Sequence, residues 1–85
     1  MFENELYKFI KVDGKYEFCR VAPYSKSHAD MAAGRKVEAA GLFSVWGKEI
    51  RPEDSWSTTL KVGCTDQHFQ EIADLSGGKV GEKWH

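Results

Sequence analysis

The sequence predicts an α+β fold: a small antiparallel sheet of three to four strands, in the order ββ(α)ββα, with one or two helices packed on one face. Three observations predict it. Asp13-Gly14 separates two runs rich in aromatic and β-branched residues, Leu42–Trp46 and Trp56–Val62 read as further strands, and a capped amphipathic helix follows Thr65.

The opening hairpin is the clearest element. Asp13-Gly14 suits a two-residue type I′ turn, because both central positions need φ > 0. That turn fixes the register, with Val12 opposite Lys15, Ile10 opposite Glu17 and Phe9 opposite Phe18. One face of the hairpin then carries Tyr7, Phe9, Lys11, Tyr16, Phe18 and Arg20. The other carries Leu6, Lys8, Ile10, Val12, Lys15, Glu17, Cys19 and Val21. Pro23 has no N–H to donate and should end the pairing of the second strand.

Ser27 and Asp30 fit the ends of a capping box, opening an Ala-rich helix over residues 28–40 with Gly34 as an internal weakness. The rival reading of that stretch is a strand from about Val37 through Trp46. Arg51-Pro52-Glu53-Asp54 reads as a turn. From Trp56 to Val62 apolar and polar residues alternate, so Trp56, Leu60 and Val62 should point inward, and Trp46 should belong to the core sheet. Thr65 caps the last helix, Asp66 complements its dipole, and Phe69, Ile72 and Ala73 form its buried stripe. Leu75-Ser76-Gly77-Gly78 ends it with glycine available for the left-handed position.

The chain has 85 residues, 41% hydrophobic and 29% charged, with a formal net charge of -1. These values fit one globular domain over residues 1–85 and argue against strong global attraction to nucleic acid or an anionic membrane. The N-terminus shows no signal peptide and no apolar run approaches the roughly 20 residues of a membrane helix. A cytoplasmic location, no membrane partner and reduced Cys19 and Cys64 thiols are the corresponding expectations. Charge is unevenly spread. Residues 8–36 hold seven Lys/Arg against three acids, net +4, and residues 38–76 hold three against seven, net -4. Either the halves neutralise each other in the fold, or they present a basic and an acidic face.

Few residues organise into recognisable chemistry. Cys64 lies just before a helix start and His68 four residues on, the residue types of a minor thiol-enzyme reading; a buried, inert thiol is the simpler one. Cys19, Cys64, His28, His68 and His85 lack the paired spacing of a zinc site, so no metal and no cofactor are expected. Ser27, His28 and Asp30 are too close in sequence to form a hydrolase triad. The glycines around Lys79 follow a helix where those of a phosphate loop precede one. Glu53-Asp54 reads as a solvated turn.

The functional expectation is therefore a non-catalytic protein-binding module. It would be a small regulator or inhibitor covering a partner protein's surface, in size and style like small phage-encoded inhibitors. Trp84, in a polar tail, either staples the tail to the body or is a candidate interface anchor. The alternative uses the hairpin face Tyr7, Phe9, Lys11, Tyr16, Phe18 and Arg20 as a stacking platform for single-stranded nucleic acid. The competing role for those rings is the core itself.

Overall fold

The computed structural model describes residues 3–21 and 27–81; Pro23 and Trp84 lie outside them. Strands β1 (Leu6–Val12) and β2 (Lys15–Arg20) form the expected hairpin. Asp13 and Gly14 have φ of 51° and 76°, and the register is the one the turn dictates.

Helix α1 (His28–Ala32) is only five residues long, so the helix expected over 28–40 is cut short. Ser27 caps it, its hydroxyl accepting the Asp30 N–H at 3.1 Å. Ala33 itself turns left-handed at φ 51°, one residue before Gly34. Arg35 then folds back, donating to the carbonyls of Met31 and Ala32 at 2.8 and 2.9 Å. These bonds satisfy carbonyls a longer helix would have used. The same guanidinium forks onto Glu17 at 2.5 and 2.7 Å, tying α1 to β2.

The chain continues into β3 (Ala39–Trp46) and β4 (Glu49–Asp54). The stretch read as a turn at Arg51–Asp54 is therefore strand. Pro52 is tolerated because the β3–β4 ladder shifts register between Leu42 and Phe43, and because the last strand pairs with β4 only at Glu49 and Ile50. The single strand expected over Trp56–Val62 is instead a small hairpin, β5 (Trp56–Ser57) with β6 (Val62–Gly63). Lys61, at φ 55°, reverses the chain, and its N–H donates to the Ser57 carbonyl at 2.7 Å.

Helix α2 (Asp66–Ser76) matches its sequence signals: Thr65 at the cap, Phe69, Ile72 and Ala73 buried, Gly77 left-handed at the end. A short strand β7 (Lys79–Val80) follows and pairs parallel with β4. Glycine is required just before it, since a Cβ at Gly78 would collide with the Lys48 carbonyl.

The sheet is thus five-stranded and mixed, in the order β2-β1-β3-β4-β7, beside a separate two-stranded β5-β6 sheet. This corrects the expected three- to four-stranded antiparallel sheet. The miss lies in β4, hidden by its proline, and in β7, too short to show a pattern. The helices also do not share a face. Side chains alternate along a strand, so Tyr7 and Phe9 point toward Phe69 and Ile72 of α2. Ile10 and Val12 point the other way, onto Met31 and Ala32 of α1. Among the described residues, no helix is long and apolar enough to cross a membrane.

Candidate functional site

The aromatic hairpin face, read either as core or as a stacking platform, is largely interior. Tyr7 is buried and Phe9 has 0% of its surface accessible, packed among Phe43, Phe69 and Tyr16. A ring with no accessible face has nothing to offer a base, and the reason is α2, which lies across it. The rim of that face is partly exposed but engaged. Phe18 meets Phe43 edge to face at 5.8 Å. The Tyr16 hydroxyl donates to Glu71, and Lys11 pairs with the same carboxylate at 3.0 Å while sitting 5.2 Å from the Tyr16 ring centre. Burial and then the Glu71 bond push the Tyr16 phenol well above its ordinary range. Glu71 is held low by the Tyr16 hydroxyl and then by Lys11. Arg20 pairs with Glu3 and Glu5 at 2.7 and 2.9 Å.

Contacts between the two charge halves are present among the described residues. Lys11–Glu71 joins them, as does the Gly14 N–H donating to Glu38 at 2.7 Å. Arg35–Glu17 and Arg51–Glu49 stay within their own halves.

Cys64 and His68 each have another role. Cys64 is a half-buried thiol in no disulfide, set against the α2-side core and close enough to Gly41 that a Cβ there would lie 2.8 Å from its sulfur. Cys19 is likewise in no disulfide. His68 closes the capping box of α2, its Nδ1 accepting the Thr65 N–H at 2.9 Å. Among the described residues no group of three or more His, Cys, Asp or Glu could hold a metal ion.

The opposite face of the sheet differs. α1 and the apolar residues Leu60 and Val62 cover only its Ile10, Val12 and Ala40 end. Beyond them the strands carry Leu6, Leu42, Ser44 and Trp46, none fully buried. Trp46 is 55% exposed and Trp56 51%. Both were expected in the core. Trp46 is exposed because strand parity sends Val45 to the α2 side and Trp46 to the uncovered one. Trp56 is exposed because its strand lasts two residues and the inward position falls to Ser57.

The chain matches no family model, no curated protein and no solved structure.

Trp46 is held in place. The Arg51 guanidinium lies 5.5 Å from its ring centre and is anchored on Glu49 at 3.1 Å. The neighbouring turn is fixed by Asn4, whose side-chain oxygen accepts the Gly47 N–H at 2.8 Å. A cleft of about 360 Å³ opens beside it, with Leu6, Ser44 and Glu53 in its wall. The Ser44 hydroxyl donates to Glu53 at 2.6 Å. At the other end, a second cleft of about 200 Å³ lies between α1 and the β5–β6 hairpin, with Lys8, Leu42 and Trp56 among its lining. The sequence carries three tryptophans but no signal for which rings are left uncovered.

Proposed function

We propose that the chain is a non-catalytic protein-binding module, a small regulator or inhibitor that covers a partner protein with the bare half of its sheet. The observation that carries this reading is Trp46, a half-exposed ring at the uncovered end of the sheet face opposite α2. Large exposed apolar side chains grouped on a rigid surface mark interaction sites, and tryptophan dominates binding hot spots. The Arg51 stack adds support, since an anchor already held in one orientation loses less side-chain entropy on binding.

Affinity capture from native lysate tests it, with nuclease-treated and untreated halves compared. The reading expects one stoichiometric protein that survives nuclease. Loss of everything captured on nuclease treatment contradicts it.

A further inference from the structure

The cleft between α1 and the β5–β6 hairpin is lined by the buried polar side chains His28 and Ser57. Among the described residues, two polar side chains are buried, His28 at 5% exposure and Ser57 at 1%, and both line this cleft. Buried polar groups are costly unless bonded. Ser57 is accounted for: its hydroxyl meets Thr59 at 3.3 Å and accepts the Leu60 N–H at 3.3 Å. His28 is accounted for at one nitrogen only. Its Nε2 lies 3.0 Å from the Gly41 carbonyl. A carbonyl only accepts, so Nε2 carries the proton, and in the neutral ring Nδ1 is an acceptor. No described residue bonds Nδ1.

The rest of the lining sets the kind of ligand. Lys8 and Asp54 contribute one positive and one negative charge, so the cleft favours neither an anion nor a cation. One Asp54 oxygen already accepts the Trp56 N–H at 3.1 Å; the other faces no described donor. The Trp56 indole rests on Gly63, where a Cβ would stand 3.1 Å from its ring. The indole is half exposed on its remaining surface. Hydroxyls that both donate and accept, unused acceptors, an aromatic wall and no net charge describe a site for a neutral polyol with one apolar face.

We propose that this cleft binds a neutral hydroxylated ring, a single pyranose unit. The ring's C–H face would pack on the Trp56 indole, whose negative π-face attracts the weakly positive hydrogens. Its hydroxyls would donate to His28 Nδ1 and to Asp54. The size, about 200 Å³, suits one sugar ring rather than an oligosaccharide. This site is separate from the Trp46 end of the sheet and stands or falls independently of the partner reading.

The test is a titration followed by NMR at the indole N–H of Trp56 and the ring of His28. The probes are methyl α-D-glucopyranoside, methyl β-D-galactopyranoside and N-acetylglucosamine. Glycerol serves as the hydroxylated control without a ring face, and AMP as the charged aromatic control. The proposal expects a saturable shift at both residues with at least one pyranose and none with glycerol. Trp56→Ala and Asp54→Asn should each weaken it at least tenfold, while Trp46→Ala leaves it unchanged. Both altered side chains are exposed, so folding is checked simply by the unchanged spectrum of the core. No shift with any pyranose, a shift with glycerol equal to theirs, or a response to AMP alone overturns the proposal. So does full binding by a folded Trp56→Ala protein.

Discussion

On the α2 side of the sheet, rings meet rings: Phe9 stands edge-on to Phe69 at 5.6 Å, and Tyr7 stacks on Phe43 at 5.5 Å. On the other side, Ile10 and Val12 meet Met31, Ala32 and Ala40, and the strands beyond them are uncovered among the described residues. An eleven-residue helix seals the first face, while a five-residue helix and a two-stranded hairpin half-close the second. Stability and display are therefore divided between the two sides of one sheet. Aromatic content alone does not say which side binds, since the most aromatic face is the one consumed by packing.

The largest expected effect is on the sealed side. Phe9→Ala should destabilise the protein by about 3–5 kcal/mol, the range for emptying a buried aromatic site, as measured by urea unfolding. A loss under about 1 kcal/mol would mean that α2 does not hold this face closed. Met31→Ala on the half-closed side should cost less, about 2 kcal/mol, because a short helix and small neighbours can collapse around the gap. Equal losses at the two sites would erase the distinction.

Tyr16→Phe should cost about 1 kcal/mol, the net worth of an ordinary hydrogen bond, since it removes only the hydroxyl that bonds Glu71. Acid and base should each lower stability, through different groups. Glu71, beside Tyr16 and Lys11, and Glu17, beside Arg35, are held below their ordinary 4.5. The unfolded chain takes up these protons first, so the stabilisation is full above about pH 4.5 and fades as pH falls below it. Tyr16 is held above its ordinary 10.0. Here the unfolded chain ionises first, so stability is lost as pH rises past about 10. Tyr16→Phe should remove the alkaline loss. A Tyr16→Phe protein with an unchanged alkaline limb would show that this phenol is not what titrates.

How legible this was depended on how local each signal is. Asp13-Gly14 determined the hairpin because a type I′ turn constrains only its own two residues and their register. Thr65, Phe69, Ile72, Ala73 and Gly77 gave α2 a start, a stripe and a stop within one segment. β4 was hidden because Pro52 reads as a turn unless the missing neighbour along most of that strand is known. β7 has two residues and is defined by Lys48 and Ile50 far back in the chain, whose carbonyls accept the N–H groups of Lys79 and Gly81. The alternation from Trp56 to Val62 matched a strand until Lys61 turned left-handed. The candidate surfaces depend on the same distant facts. Trp46 is exposed because strand parity turns it away from α2, at the end of the sheet away from the α1 contacts, and the His28 cleft gathers residues from positions 8, 28, 42, 54 and 56–59, which no local pattern links.

The smallest structural effect should accompany the largest functional one. Trp46→Ala, at a half-exposed ring, should shift stability by no more than about 0.5 kcal/mol. Measuring its unfolding midpoint together with its retention of the captured partner tests the division of the two faces most directly. The account predicts an unchanged midpoint and at least tenfold weaker retention of the partner. A folded Trp46→Ala protein that holds its partner as tightly as the original would contradict it.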